Sequence, residues 1–144
     1  MRIVDANVLL YAVNEADPRH ASSVAWVDAA MNGPEVVGLP WLVVLAFLRL
    51  STKAGLFPRP LAIEAALARV REWLAQAPAT LLEPTRRHFD VLAGLLGEVG
   101  TGGNLTSDAH IAALAVEHDA TIVTYDVDFG RFRGVRWARP EDLV

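Results

Sequence analysis

Short runs of β-branched and aliphatic residues alternate with longer segments of helical apolar spacing, and this alternation constrains the fold more than any single residue does. Arg2 to Val4 is the first such run and ends at Asp5, after which Val8, Leu9, Ala12 and Val13 switch to a helical period. His20 to Met31 reads as a helix closed by Asn32-Gly33-Pro34, and Glu35 to Leu39 as a second strand. Pro40 opens a long apolar helix over Trp41 to Lys53, with Gly55 as its stop. Leu61 to Gln76 is predicted as a surface helix burying Ile63, Leu67, Val70 and Leu74. Ala79 to Leu82 is a third strand, and Thr85 to Glu98 a helix with Phe89, Leu92, Leu95 and Leu96 turned inward. After the loop Gly100 to Asn104 come a helix over Ser107 to His118, a strand over Thr121 to Tyr125, a turn at Asp126-Val127-Asp128 and an edge strand over Val135 to Trp137. Strands that alternate with helices build a parallel sheet covered on both faces, so the expected class is α/β with three layers.

Length and composition agree with one such unit over residues 1–144, since 144 residues suffice for a single core that hides about 70% of the unfolded surface. Hydrophobic residues make up 53% and charged residues 21%, which excludes intrinsic disorder. The longest apolar run, Trp41 to Leu48, falls far short of the roughly 20 residues that span a bilayer, and no signal-peptide pattern opens the chain. The expectation is a soluble cytoplasmic protein with no membrane partner. The chain has no cysteine, which removes disulfide scaffolds, thiolate zinc sites, iron–sulfur clusters and cysteine nucleophiles together. A net charge of −4 argues against non-specific coating of nucleic acid but leaves room for a local basic patch.

Topology brings acidic residues together. Ligands of an open parallel sheet bind at the carboxyl ends of its strands, and Asp5 and Asp126 each follow a predicted strand. The helix that feeds the last of these strands must begin at the same edge, because about 12 residues at 1.5 Å cover roughly the length of the returning strand. Asp108, near its start, is therefore expected level with Asp5 and Asp126. Carboxylates that converge raise one another's pKa unless a cation joins them. For an all-oxygen site the natural cation is Mg²⁺ or Mn²⁺, and phosphodiester hydrolysis is the matching chemistry. Taken singly, each residue has a plainer role: Asp5 as a helix cap, Asp108 as a first-turn acid, Asp126 and Asp128 as turn formers. Asn7, two residues after Asp5, is placed to orient a carboxylate or is an ordinary first-turn polar residue. The four histidines show neither HExxH nor short paired spacing, and no GxxxxGK[ST] or GxSxG pattern occurs.

Three segments resemble the PIN-domain ribonucleases, specifically the VapC-type toxins of bacterial toxin–antitoxin pairs. They are Ile3-Val4-Asp5-Ala6-Asn7-Val8-Leu9-Leu10-Tyr11, the stretch Gly103 to Ala115 around Ser107-Asp108-Ala109-His110, and Thr121-Ile122-Val123-Thr124-Tyr125-Asp126-Val127-Asp128-Phe129. They occur in the family's order and span nearly the whole chain. The resemblance implies a three-layer α/β/α PIN-like fold with a central, mostly parallel sheet. It further implies a Mg²⁺-dependent endoribonuclease acting on structured RNA such as tRNA or rRNA, a homodimer, and a cognate antitoxin protein. By position, Asp5, Asp108 and Asp126 match the family's acidic metal ligands, and Asp128 and Thr124 sit beside them. One departure stands out: Ala46 occupies the place where the family usually carries a Glu, and no other acid lies in Trp41 to Lys53. That departure keeps open an RNA- or partner-binding module with weak or lost catalysis. Arg131 and Arg133, just past the Asp126 turn, fit RNA phosphates, antitoxin carboxylates or a solvated face equally.

Overall fold

In the computed structural model, which describes residues 1–144, the first aliphatic run forms strand β1 (Arg2–Val4). Ile3 and Val4 point to opposite faces of the sheet and neither has any exposed surface. Both faces are therefore covered. β2 (Val37–Pro40) is buried at all four positions for the same reason. With β3 (Ala79–Leu82), β4 (Thr121–Val123) and β5 (Arg136–Ala138), the sheet has the order β3-β2-β1-β4-β5, and every pairing is parallel. The sheet is thus fully rather than mostly parallel, and all five carboxyl ends share one edge.

Six helices cover it: α1 (Ala6–Val13), α2 (His20–Met31), α3 (Trp41–Ser51), α4 (Ile63–Leu74), α5 (His88–Val99) and α6 (Leu105–Glu117). α1 packs on α2 and α3, α3 packs on α4, and α5 packs on α6. The chain leaves α5 through Gly100, whose φ of 76° is the left-handed geometry that a glycine closes a helix with. No helix is long and apolar enough to cross a membrane.

Three expectations about helix faces and ends are corrected. α4 buries Ala66, Val70 and Trp73, while Ile63 and Leu67 are exposed. Trp73 carries the largest apolar surface on the helix and meets Phe47 of α3 edge-on at 5.0 Å, so its face turns inward in preference to the aliphatic one. In α5 the expected inward residue Phe89 is 76% exposed. The helix starts at His88, whose ring points into α6, and the next residue is rotated about 100° away from that contact. β2 begins two residues later than expected, because Val37 already pairs with Arg2 and Ala79, the first residues of the two strands beside it, so Glu35 has no strand partner and its side chain ion-pairs with Arg2 and the N-terminal amine.

Candidate active site

The carboxyl edge is built from the end of β1 upward. Asp5 leaves the strand with extended dihedrals and caps α1, its Oδ1 accepting the Ala6 amide at 2.7 Å. Its Oδ2 accepts the Thr124 hydroxyl at 2.7 Å and the Asn7 side-chain amide at 3.1 Å. Thr124 is wholly buried just past β4, and its Oγ1 also accepts the Asp126 amide at 2.9 Å. Asn7 Oδ1 accepts the Tyr125 amide at 3.2 Å. The end of β1 is therefore laced to the end of β4 by side chains as well as by the sheet. Asn7 takes the orienting position on the Asp5 carboxylate.

Asp126 opens a short 3₁₀ helix over Val127–Arg131, its Oδ1 accepting the Asp128 amide at 2.9 Å. Asp108 lies in the first turn of α6. One carboxylate oxygen each from Asp108, Asp126 and Asp128 lie within 4.8 Å of one another. Asp5, Asp108 and Asp126 thus stand at the edge where topology predicts them, and Asp128 lies beside Asp126. The tightest trio includes the exposed Asp128 and leaves Asp5 to one side, held by its hydrogen bonds.

The electrostatics of this cluster are unfavourable without a cation. Burial, then the charges of Asp126, Asp5 and Asp128, push the Asp108 carboxyl up to about 6. Burial also raises Asp5, with the Asp126 charge adding to it, although the Thr124, Ala6 and Asn7 hydrogen bonds pull in the opposite direction. Hard carboxylate oxygens that converge under mutual repulsion are the donor set that Mg²⁺ and Mn²⁺ prefer. α3 contributes no acid to the edge; Ala46 is half-buried on a helix that runs Trp-Leu-Val-Val-Leu-Ala-Phe-Leu-Arg-Leu-Ser. Arg131 and Arg133 are exposed and line a cleft with Glu98.

Two constellations have no signature in the sequence. One is a stack of Tyr11, Tyr125 and Arg19 beside the acidic edge. The other joins α5 to α6: the Glu117 carboxylate, fully enclosed, binds His88 Nδ1 and both the amide and the hydroxyl of Thr85. His88 Nε2 then meets His110 Nδ1 at 2.8 Å. His118 is half-buried and reaches the Glu83 carbonyl at 3.0 Å through Nε2.

An all-parallel sheet with converging carboxylates at its carboxyl edge agrees with the family described as PIN domain, whose profile matches residues 2–135, and the chain belongs to that family. It is 59% identical to Ribonuclease VapC37 of Mycobacterium tuberculosis over 144 residues, covering 100% of both proteins. Among solved structures it resembles Mycobacterium tuberculosis VapC20, described as a Sarcin-Ricin loop cleaving toxin. The TM-score is 0.69 and the identity 19%, over 94% of this chain and 99% of that one. It also resembles VapBC2 from Rickettsia felis bound to a DNA fragment from its promoter, with a TM-score of 0.65 and 17% identity, over 96% and 97% of the two chains. These two likenesses concern the fold.

Proposed function

We propose that this chain is a Mg²⁺-dependent endoribonuclease and the toxin of a toxin–antitoxin pair, with Mn²⁺ as a possible substitute metal. The observation that carries this reading is the convergence of Asp108, Asp126 and Asp128, with the Asp108 carboxyl pushed up to about 6 by burial and then by the charges around it. The full-length identity to a protein named a ribonuclease supports the same chemistry. Asp108, Asp126 and Asp5, with Asp128 at the rim, are the residues that would hold the metal. Bound there, a divalent ion lowers the pKa of a water and neutralises charge on the phosphodiester.

The protein's own part is positioning. Thr124 and Asn7 fix the Asp5 carboxylate, and the Thr124 hydroxyl also fixes the backbone of Asp126, so two acids from distant segments keep one relative geometry. Attack by water on the phosphorus breaks the bond to the 3′-oxygen and leaves a 3′-hydroxyl and a 5′-phosphate. Structured RNA such as tRNA or rRNA is the proposed substrate, in keeping with the description of VapC20. The proposed working unit is a cytoplasmic homodimer of single-domain chains, residues 1–144, silenced by a cognate antitoxin protein. Resemblance to a VapBC assembly favours that partner.

Inducible expression in a bacterial host tests the toxin reading. Wild-type protein is expected to arrest growth, Asp126→Asn to be harmless at equal abundance, and co-expression of the neighbouring gene to restore growth. Harmless wild-type protein at high abundance would instead favour the binding module that Ala46 keeps open.

A further inference from the structure

Beside the acidic edge lies a stack that neither the metal donors nor the core requires. Tyr11 stands one helical turn, about 5.4 Å, beyond Asn7 on α1, and Tyr125 lies between Thr124 and Asp126 in the chain. The two rings meet edge-on at 5.4 Å. Tyr125 is fixed by its hydroxyl, which bonds Ser22 Oγ at 2.6 Å and Ser23 Oγ at 3.2 Å, and by its amide, which Asn7 holds. The Arg19 guanidinium carbon sits over the Tyr11 ring at 3.8 Å from its centroid and 5.9 Å from that of Tyr125. Arg19 Nε and Nη2 donate to the two Asp17 oxygens at 2.8 and 2.9 Å. The plane is therefore locked in place with one face on Tyr11, and the side chain remains 46% exposed.

We propose that the outer face of the Arg19 guanidinium, backed by Tyr11 and Tyr125, is a platform on which an unpaired RNA base stacks beside the scissile site. The proposal rests on the nuclease reading and adds a positioning residue to it. The fork that would grip a phosphate is already occupied by Asp17, so the pair offers little net charge and mainly a flat, polarisable face. Unstacked RNA bases are bound by arginine planes and aromatic rings of this kind. The platform is also tied rigidly to the reacting edge, since Asn7 holds both Tyr125 and Asp5.

The test is binding of a short single-stranded RNA carrying 2-aminopurine, whose fluorescence is quenched on stacking, measured in EDTA with wild-type, Arg19→Ala and Arg19→Lys proteins. Both variants are expected to weaken binding at least about fivefold, as loss of one stacked base does. Both are expected to lose the quench, and the lysine variant, which keeps the charge beside Asp17, is expected to keep the wild-type salt dependence. The conservative lysine is expected to fail because it keeps the charge without the plane, and RNA cleavage is expected to show a raised KM with kcat nearly unchanged. A lysine variant that binds like wild type, with an alanine variant whose salt slope falls by about one, would assign Arg19 to a phosphate and overturn the proposal. So would variants that bind RNA normally but no longer bind the antitoxin. Wild-type protein that binds and cuts RNA while both variants match it refutes the platform alone; wild-type protein that neither binds nor cuts RNA refutes the nuclease reading with it.

Discussion

Asp108 and Thr124 show how single residues set the balance between stability and chemistry at the acidic edge. The folded protein holds the Asp108 proton up to about pH 6, whereas the unfolded chain releases it near 3.8. Between these values the folded state binds more protons, so this contribution to stability is full below the lower value and is lost as the pH rises through the upper one. Asp108→Asn is therefore expected to stabilise the metal-free protein at pH 7. Because the carboxyl is only half-buried, solvent screening reduces the gain to about 1 kcal/mol, or about 2–4 °C in melting temperature. Melting curves at pH 4 and pH 7 check this, with the gain present only at the higher pH. Thr124→Val acts the other way: it strips Asp5 of a donor and the Asp126 amide of its acceptor in a buried place. We expect a loss of about 2 kcal/mol by denaturant titration and at least about tenfold weaker RNA cleavage.

At the scale of elements, the site depends on how α6 is seated, because α6 carries Asp108. Glu117 and His88 join α6 to α5. Enclosure alone would raise the Glu117 carboxyl, but the hydrogen bonds from Thr85 and His88 hold it below the usual carboxylate range. Its stabilising effect is thus present above the unfolded value of 4.5 and lost as the pH falls through the lower folded value. Glu117→Gln is expected to cost about 2 kcal/mol at pH 7, measured by chemical denaturation, since it removes charge from several hydrogen bonds at once. At the end of α3, the Ser51 hydroxyl is buried with no partner. Ser51→Ala is expected to raise stability by about 1 kcal/mol by the same measurement, and an unchanged or lower stability would contradict that.

Much of this scale was legible in the sequence. Each strand overlaps its predicted run, with ends displaced by up to two residues, because β-branched runs and helical periodicity are local signals. Which face a helix buries was less legible: α4 follows Trp73 and α5 follows His88, and both choices depend on partners distant in the chain. For Asn7 the sequence left an orienting role and an ordinary first-turn role open. The convergence of Asp5, Asp108 and Asp126 could be foreseen from topology alone, and the place of Asp128 from the family resemblance. The Arg19 stack and the His88–Glu117–His110 chain could not, since their members meet only after the helices dock.

For the whole molecule, the parallel sheet is what makes a site out of separate segments. Every strand ends at the same edge, so β1, β4 and the start of α6 deliver acids from distant parts of the chain to one place. The resulting repulsion is a cost that a divalent ion bound there would reverse. Mg²⁺ at a hundredfold excess over its dissociation constant is expected to stabilise the protein by about 2.7 kcal/mol, an effect absent from Asp108→Asn/Asp126→Asn. The measurement that tests the account most directly is digestion of total bacterial RNA by antitoxin-free protein with Mg²⁺, with Mn²⁺ and with EDTA, alongside that double variant. Discrete fragments with 5′-phosphate ends, formed only with metal and only by the wild-type protein, are the predicted result. Intact RNA with folded wild-type protein across both metals, or equal cutting by the double variant, would contradict it.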